Sequence, residues 1–423
     1  MSDRRVLILG ADGFIGRHIV LALRASGHYV LGCARRTDWL RSVGIDSLAA
    51  DLADPATHVP SFWAGKLRGI THIVNAAGLL DAPRATMHAV HVLAPAALYA
   101  ACPRVSAGVL ISAVGIDADT RFARARRQGE AAAADAPFPL TILRPGLVIA
   151  STSYGGTSLA RALAAAPFRI PVVGKGTQML NPVHAADLAR VVQECLDIPS
   201  TAEPIEIGGP EALTQIDYLS SLRRWMGLPA ARPLPLPVPL ALGIGWLGKV
   251  MRLGPISRVS VRQLQHGVVA ADAPMIQHRP APFSETLAST PAGTQDLWHA
   301  RLYLIRPLIR VALIVLWLAS ALLGLFLAPD SFLPALHSSG LPDAASLILA
   351  RAGGVVDFCI AVALIVGWRL RTLAMIQIAV VLGYTVGLGL MAPTLWVDPF
   401  GGLLKNMPLL ALLLVHRVLE QER

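Results

Sequence analysis

Short apolar runs alternate with amphipathic stretches over the first third of the chain, from about residue 4 to residue 148. The runs RRVLILG, HYVLGCA, THIVNAAG, SAGVLISAVG and LTILRPGLVI have the length and composition of buried strands, and helical stretches separate them. Strands that alternate with helices indicate right-handed βαβ crossovers and a mostly parallel sheet. The pattern therefore predicts an α/β fold with a doubly wound parallel sheet.

The pattern becomes less regular between residues 151 and 295. Helical stretches at 158–167, 181–196 and 216–227 mix with short extended pieces, which predicts a small substrate subdomain. The proline-rich stretch ARPLPLPVPLALGIGWLG follows, and the spacing of its prolines argues against a continuous helix. Beyond it we predict irregular structure to about residue 294, with one helix at 257–267.

Long apolar runs begin at about residue 298, which predicts a domain boundary between an N-terminal domain, 1–295, and a C-terminal domain, 296–423. A helix that crosses a bilayer needs about 20 mostly apolar residues. The C-terminal domain is accordingly expected to be an α-helical transmembrane bundle with four spans, at about 307–328, 346–368, 372–392 and 402–418.

The segments between these spans differ in their content of basic residues. Arginines lie before the first span, between the second and third, and after the fourth: Arg301, Arg306, Arg310, Arg369, Arg371, Arg417 and Arg423. The segments 329–345 and 393–402 contain neither Lys nor Arg. Basic segments remain on the cytoplasmic side of a membrane. We therefore expect a multi-pass protein of the inner (cytoplasmic) membrane, with its N-terminal domain and C-terminus in the cytoplasm.

The composition agrees with partial burial in lipid. Apolar residues make up 54% of the chain, charged residues only 15%, and the mean hydropathy is +0.55. A net charge of +10 is compatible with nucleic-acid binding, but the basic residues are scattered and no basic helix carries stacking aromatics. We expect the surplus charge to face an anionic lipid bilayer and predict no nucleic-acid partner. The four widely spaced cysteines form no CxxC pair, so no metal site is predicted.

The turn after the first predicted strand is rich in glycine. The sequence VLILGADGFIGRHI places Gly10, Gly13 and Gly16 between a strand and a helix. Glycine permits the tight turn, the approach of the backbone to a pyrophosphate, and close packing of the helix on the strand. The N-terminus of that helix attracts phosphates. The pattern predicts a Rossmann-type dinucleotide site, which also includes the intervening Asp12, Phe14 and Ile15.

The end of the second predicted strand bears on the choice of nucleotide. A site that prefers NAD has an acidic residue here, which binds the ribose 2′-hydroxyl. This chain instead has Arg35 and Arg36, and arginine pairs well with a 2′-phosphate. The sequence therefore favours NADP(H) over NAD(H), although a solvated basic pair at a strand end is the alternative.

Several ordered motifs resemble the extended and atypical branch of the short-chain dehydrogenase/reductase family, over about residues 4–290. They are DL at 51–52, NAAG at 75–78, ISAVG at 111–115, LRPG at 143–146, NPVHAADLA at 181–189 and IGGPEALT at 207–214. The resemblance implies a catalytic serine at Ser112. It also implies cofactor contacts from Asp51, Leu52, Asn75, Ala76, Ala77, Gly78, Ser112, Arg126 and Pro145, and it aligns His184 and Asp187 with a family segment.

One feature departs from that family. Its proton relay is a tyrosine followed four residues later by a lysine, and the matching positions here are Phe122 and Arg126, with Glu130 as the carboxylate that follows. Phenylalanine has no proton to exchange, and the pKa of an arginine is too high for a relay. Tyr154 is the nearest downstream tyrosine, and we expect it to pack or cap a loop.

Two further resemblances concern larger parts of the chain. The stretches SFWAGKLRGITHIVNAAG and VHVLAPAALYAAC are similar to the nucleotide-binding accessory subunit of respiratory complex I, which implies a dinucleotide that is held rather than turned over. The stretches LWHARLYLIRPLIR, ARAGGVVDF and LLKNMPLL resemble the DoxX-like membrane family. That likeness implies a link to quinone-coupled oxidation.

Three ionisable residues fall within or beside the predicted spans: Arg351, Asp357 and Lys405. Ionisable residues in a membrane usually face the interior of the bundle and often mark a functional path. Alternatively, Arg351 and Lys405 extend to the outer interface, or one of them pairs with Asp357.

The sequence thus predicts a membrane-anchored NAD(P)(H)-binding protein with a degenerate catalytic relay and a structural or assembly role. The alternative is an NAD(P)H-dependent oxidoreductase that passes reducing equivalents to a membrane quinone or related redox partner. No flavin, haem or iron–sulfur motif accompanies the site to divide the two electrons of a hydride.

Overall fold

The chain divides into two compact units in a computed structural model. Unit 1 consists of Met1–Lys249 and Gly254–Ala300, and unit 2 of Val250–Leu253 and Arg301–Arg423. The structure describes residues 4–198, 200–201, 203–251, 253–336, 340–399 and 401–421. Arg423 and part of the predicted Arg-free segment 329–345, residues 337–339, lie outside the described residues.

Unit 1 is built on a seven-stranded sheet. In chain order, the strands of unit 1 are β1 Arg5–Leu9, β2 Tyr29–Ala34, β3 Asp46–Ala49, β4 His72–Asn75, β5 Ala107–Ile111, β6 Leu140–Pro145, β7 Val148–Ile149, β8 Arg169–Val173, β9 Met179–Leu180, β10 Val183–His184, β11 Ile205–Ile207, β12 Leu213–Thr214 and β13 Arg232–Leu236. The strands that are not in the seven-stranded sheet form two-stranded pairs. The large sheet has the order β11-β6-β5-β4-β1-β2-β3, with every pairing parallel. The predicted doubly wound parallel sheet is therefore confirmed.

Helices of unit 1 cover both faces of this sheet, and others pack against the smaller strands. In chain order, the helices of unit 1 are α1 Phe14–Ala25, α2 Asp38–Ser42, α3 Pro60–Ala64, α4 Arg84–His88, α5 Ala94–Ala100, α6 Arg121–Ala134, α7 Gly156–Ala164, α8 Ala185–Cys195, α9 Gln215–Trp225, α10 Val238–Val250, α11 Arg258–Gln265 and α12 Phe283–Ser289. Strand β1 shows the consequence. Val6 and Ile8 pack in the core that contains Ile19, whereas Leu7 and Leu9 pack in the core that contains Trp63. Both faces of the strand are buried, which explains its unbroken apolar run.

The proline-rich stretch is more regular than the sequence indicated. Its alternating prolines form β13, which pairs in parallel with β8, and α10 starts directly after Pro237. Proline is tolerated in the first turn of a helix, so Pro239 does not interrupt α10. The expectation that the prolines prevent a continuous helix was wrong for α10, and the irregular structure expected beyond that stretch was wrong for α12. Helix α11 confirms the helix predicted at 257–267.

Unit 2 is helical. Its helices, including the long α13 that begins in unit 1, are α13 Thr294–Phe326, α14 Leu333–Leu336, α15 Asp343–Val366, α16 Leu370–Met391 and α17 Asn406–Leu419. Among the described residues, three helices are long and apolar enough to cross a membrane: α13, α15 and α16.

The fourth predicted span is not matched by a helix of sufficient length. Helix α17 has 14 residues, which corresponds to about 21 Å against a hydrocarbon core of about 30 Å. The backbone turns at Gly401, whose φ is +85°, and a short 3-10 turn precedes Asn406. The apolar run from residue 402 therefore does not form one helix, and the prediction of four spans is corrected to three candidates.

One arginine of unit 2 has a structural role that its sequence position did not indicate. Arg310, on α13, is 3% exposed and donates hydrogen bonds to the carbonyls of Leu364 and Ile365 at the end of α15. Its Nη1 also donates to the Met251 carbonyl over 2.7 Å. A cation at a helix C-terminus satisfies carbonyls that lack partners within the helix. Arg310 thus holds the end of α15 and the Met251 carbonyl together.

Candidate functional site

The predicted glycine turn lies at the carboxyl end of β1 and packs against the segment that follows β4. Gly10 has φ +72°, a conformation that favours glycine. A Cβ atom on Gly10 would lie 2.8 Å from the Cα of Ala77, and one on Gly16 would lie 2.1 Å from the Gly10 carbonyl oxygen. The Gly13 amide donates to that same oxygen over 2.9 Å. The structure therefore brings Gly10, Gly13 and Gly16 together in one tight turn. Ala76 and Ala77, which follow β4, pack against Gly10.

This turn leads into the N-terminus of α1. Gly13 caps the helix without a side chain, and the first turn of α1 contains no acidic residue. The first N–H groups of a helix lack partners within it and attract anions. Phe14 and Ile15, the first two residues of α1, present such groups. The geometry suits a phosphate.

Asp12 places a carboxylate near this anion site, and its charge is balanced. Its Oδ1 accepts hydrogen bonds from Arg17 Nη2 over 2.5 Å and from Arg17 Nε over 3.1 Å. The Arg17 guanidinium also lies over the Trp39 ring, 4.7 Å from its centroid. Sequence reasoning missed Arg17 and Trp39, because neither belongs to the glycine pattern. The pair lowers the repulsion that a free carboxylate would exert on an approaching phosphate.

The turn at 75–78 is held by a buried amide. Asn75 Nδ2 donates to the hydroxyl oxygen of Tyr99 over 2.9 Å, and Asn75 Oδ1 accepts from the Ala77 amide over 3.1 Å. Burial raises the pKa of Tyr99 to about 12, which keeps its hydroxyl neutral. The amide side chain therefore fixes the backbone against which Gly10 packs.

Arg126 lies beside that turn. Its Nη1 donates to the Ile111 carbonyl at the end of β5 over 2.8 Å, and a Cβ on Gly78 would lie only 2.2 Å from its Nη2. Burial lowers the pKa of the guanidinium to about 10, so Arg126 stays charged at neutral pH. Its buried Nε has no hydrogen-bond partner among the described residues. A half-buried cation whose buried Nε has an unused hydrogen beside a glycine backbone fits an anionic or hydroxyl-bearing ligand.

Phe122 and Arg126 share one face of α6. The guanidinium of Arg126 lies over the Phe122 ring, 5.5 Å from its centroid. These are the positions that the resemblance in sequence predicts to match the tyrosine and lysine of the short-chain dehydrogenase/reductase family. The pair forms a cation–π contact and offers no proton that can be transferred near pH 7.

The Ser112 hydroxyl belongs to a buried hydrogen-bond network. It is 3% exposed and donates its hydroxyl hydrogen to Glu130 Oε1 over 2.5 Å. The Glu130 carboxylate also receives Arg144 in bidentate fashion, Nε to Oε1 at 3.0 Å and Nη2 to Oε2 at 2.6 Å. This carboxylate raises the pKa of the Arg144 guanidinium. Arg144 was not singled out from the sequence, although it lies inside the LRPG motif.

The remaining predicted site residues lie at the edges of the turn or outside it. Arg35 and Arg36 are exposed, and neither forms an ion pair with another residue in the described part of the chain. Asp51 is exposed and its Oδ1 accepts from the Ala53 amide, Leu52 is buried in the core with Trp63, and Pro145 is buried at the end of β6.

Tyr154 does not replace the missing tyrosine next to Ser112. It is 62% exposed and stacks on Phe14, with 6.3 Å between the ring centroids. The hydroxyl of Ser112 binds Glu130 instead. The contact with Phe14 agrees with the expectation that Tyr154 packs or caps a loop.

His184 and Asp187 both stabilise local structure. His184 Nδ1 accepts from the Ala186 amide at the start of α8, and Asp187 accepts from His278 Nε2 over 2.9 Å and from the Ala281 amide. Burial lowers the pKa of His184, which favours the neutral ring that can accept the Ala186 amide hydrogen.

The three ionisable residues of unit 2 are not brought together. Asp357 is 3% exposed and accepts from the hydroxyls of Ser320, at 2.5 Å, and Tyr384, at 2.8 Å. Arg351 donates instead to the Gly324 and Leu327 carbonyls at the end of α13, and Lys405 is exposed. The Asp357 carboxylate is thus satisfied by hydroxyl donors from α13 and α16. The hypothesis that Arg351 or Lys405 pairs with it was wrong.

Comparison with known proteins assigns the two parts of the chain. Residues 6–114 match the NAD dependent epimerase/dehydratase family, and residues 314–414 match the DoxX-like family. The chain therefore carries an NAD-binding domain of epimerase/dehydratase type at its N-terminus and a DoxX-like membrane domain at its C-terminus.

Individual relatives are more distant. The divinyl chlorophyllide a 8-vinyl-reductase of Oryza sativa subsp. indica is 32% identical over 250 residues, which cover 53% of this chain and 60% of the relative; the enzyme of Zea mays is 28% identical, with the same coverage. The chain thus spans less than two thirds of the curated relatives that it matches. Among solved structures, the dTDP-glucose 4,6-dehydratase DesIV from Streptomyces venezuelae, with NAD bound, is 18% identical with a TM-score of 0.53, covering 68% of this chain and 95% of DesIV. This likeness shows the fold.

Proposed function

We propose that this protein is a membrane-anchored dinucleotide-binding protein that holds NAD(P)(H) without the tyrosine/lysine relay of the short-chain dehydrogenases, in a structural or assembly role. The observation that carries the proposal is the state of Ser112. Its hydroxyl hydrogen is donated to Glu130 at 2.5 Å, and Phe122 and Arg126 stand where proton-transferring groups are needed.

The residues of unit 1 would bind such a ligand in a defined way. Gly10, Gly13 and Gly16 would bring the pyrophosphate to the N-terminus of α1, and Arg126 would donate its unused Nε–H to a ribose hydroxyl or phosphate. The bound group supplies a hydride in enzymes of this type. Carbonyl reduction also needs a proton, which a group of matched pKa must deliver. Neither Phe122 nor Arg126 meets that requirement.

Purified full-length protein should therefore retain nucleotide through native purification but show no turnover. We expect mass spectrometry to detect the dinucleotide. We expect NADPH oxidation with a panel of carbonyls and nucleotide sugars to stay at the background rate. Ser112→Ala is the matched control for the assay. A robust rate that disappears in Ser112→Ala would contradict the proposal, because it would reveal another relay through Ser112.

A second candidate is an oxidoreductase that passes reducing equivalents to a quinone or a related acceptor in the membrane. It is favoured by the names of the curated relatives, which are reductases, and by the membrane domain in the same chain. Hydride transfer to a quinone or a carbon–carbon double bond also takes up one proton, which water could supply in place of a residue at the family's tyrosine position. NADPH oxidation that depends on added quinone in reconstituted vesicles would favour this candidate over the first.

We also propose NADP(H) as the preferred nucleotide, because Arg35 and Arg36 are exposed at the end of β2 without ion-pair partners in the described residues. The change Arg35→Ala plus Arg36→Ala should weaken NADPH binding by roughly tenfold to a hundredfold, as expected for lost charge-assisted hydrogen bonds of about 1.5–3 kcal/mol. NADH binding should stay unchanged. Calorimetry with both nucleotides tests this, and tighter binding of NADH by the unaltered protein would reject it.

We further propose that the protein lies in the inner membrane, with unit 1 and the C-terminus in the cytoplasm. The segments 329–345 and 393–402 contain neither Lys nor Arg, which supports this orientation because basic segments remain on the cytoplasmic side. The boundary between residues 295 and 296 remains a proposal as well.

A further inference from the structure

Helix α10 is apolar but too short to cross a bilayer. It has 13 residues, Val238–Val250, which corresponds to about 20 Å against the hydrocarbon thickness of about 30 Å. Apolar helices of this length are core helices, re-entrant segments or helices that lie in the membrane interface. These three possibilities differ in whether the faces of the helix contact protein, water or lipid.

Only the small residues of α10 are buried in the protein. Ala241, Gly245 and Gly248 form its one buried face. A Cβ on Gly245 would lie 2.8 Å from the Arg258 amide nitrogen, and one on Gly248 would lie 2.3 Å from the Ile256 carbonyl oxygen. The glycines therefore let α10 lie directly on the backbone that leads into α11. This contact buries no large apolar side chain of α10.

The large apolar side chains of α10 point away from that contact. Their exposed fractions are 52% for Leu240, 43% for Ile244, 52% for Trp246, 50% for Leu247 and 54% for Val250. Leu240, Ile244 and Leu247 follow the spacing of a single helical face. A contiguous, exposed apolar face marks an interaction surface. Tryptophan, here Trp246, is enriched where membranes meet water.

The chain directly after α10 belongs to the membrane unit. Val250–Leu253 groups with unit 2, and the Met251 carbonyl accepts from Arg310, which also binds the last carbonyls of α15. Helix α15 is a candidate span, and it ends at Val366 before Trp368 and Arg369, residues typical of a membrane boundary. The C-terminal end of α10 is therefore continuous with a segment held at the end of a spanning helix.

Within unit 1, α10 is tied to the segment that follows the candidate nucleotide turn. Lys249 Nζ contacts both carboxylate oxygens of Asp81, at 2.9 and 3.0 Å. Asp81 lies three residues after Gly78, the glycine that Arg126 covers. The apolar face of α10 is thus anchored to the segment that follows the cofactor turn.

We propose that α10 lies in the interface of the lipid bilayer, with Leu240, Ile244 and Leu247 among the acyl chains. Lipid covers this face, rather than a partner protein, because the chain continues from it into the membrane unit. In this arrangement the bilayer contacts a helix that is linked through Lys249 and Asp81 to the segment beside the dinucleotide.

The test uses the full-length chain in nanodiscs of phosphatidylcholine and phosphatidylglycerol. Cys359, the exposed cysteine, is first replaced by serine, since the other three are buried. A nitroxide is then attached at Leu247→Cys, with Ile244→Cys as a second site. The matched control carries the label at Gln128→Cys, an exposed position on α6. Collision rates are measured with oxygen, which concentrates in lipid, and with a water-soluble nickel complex.

We expect oxygen to relax the label at Leu247 several-fold more than nickel does, and the reverse at Gln128. A label at Leu247 that nickel reaches as readily as at Gln128 would place α10 in water and overturn the proposal. A label that neither reagent reaches would overturn it as well, because protein rather than lipid would then cover this face.

Discussion

Gly16→Ala should weaken NAD(P)H binding by roughly tenfold to a hundredfold. The added Cβ would lie 2.1 Å from the Gly10 carbonyl oxygen, so the turn must open to accommodate it. Overpacking of this kind costs about 1–3 kcal/mol. Calorimetric titration of the full-length protein in detergent measures the loss.

Two other glycines provide a graded control. A Cβ on Gly13 would meet the same oxygen at 3.0 Å, so Gly13→Ala should cause a smaller loss. A Cβ on Gly65 would meet nothing within 4 Å, and Gly65 already has α-helical backbone angles. Gly65→Ala should therefore change neither affinity nor stability by more than about 0.5 kcal/mol. Equal affinities for all three variants would show that nucleotide does not bind at this turn.

Glu130→Ala should lower the stability of unit 1 by about 3 kcal/mol, because it leaves Arg144 and Ser112 without their buried acceptor. Glu130 is 8% exposed, and the bidentate contact with Arg144 has distances of 3.0 and 2.6 Å. For a domain of this size the loss corresponds to a Tm lower by roughly 6–12 °C. Thermal unfolding followed by tryptophan fluorescence measures it.

An exposed ion pair between the first turn of the same helix and the residue before its N-cap serves as the control. Asp119 and Arg124 form a salt bridge with side chains that are 89% and 52% exposed, and such pairs contribute less than about 1 kcal/mol. Asp119→Ala should therefore change Tm little. The double variant Glu130→Leu plus Arg144→Met, which removes both charges, should recover much of the stability lost in Glu130→Ala. Equal losses for Glu130→Ala and Asp119→Ala would mean that the buried network adds no stability.

The strands that the sequence predicted best are those buried on both faces. Strand β1 reads as an unbroken apolar run because helices cover it on each side. Strand β3, Asp46–Ala49, lies at the edge of the sheet and is half-buried. Its residues therefore carry no periodicity from which a strand could be predicted. Strand β11 at the opposite edge was not predicted for a different reason: Ile205 and Ile207 are buried, but three residues are too few to show an alternating pattern.

The candidate site divides in a similar way. The glycine turn and the segment 75–78 were predictable, since backbone geometry restricts which residues can stand there. The network of Ser112, Glu130 and Arg144 was not, because β5, α6 and β6 bring its members together only after the sheet forms. Asp357 shows the same limit. Hydroxyl residues are common in apolar helices, so only the packing of α13 and α16 identifies Ser320 and Tyr384 as its donors.

The path of the chain between the two units has a consequence for how such a protein can be divided or recombined. The chain passes from unit 1 to unit 2 at residue 250, returns at 254 and leaves again at 301. A single cut after residue 300 would leave Val250–Leu253 on the fragment that lacks Arg310, the donor that holds the Met251 carbonyl. Neither unit can therefore be exchanged intact by a single crossover in the gene. A chimaera that replaces the membrane part must also carry over the four residues from 250 to 253.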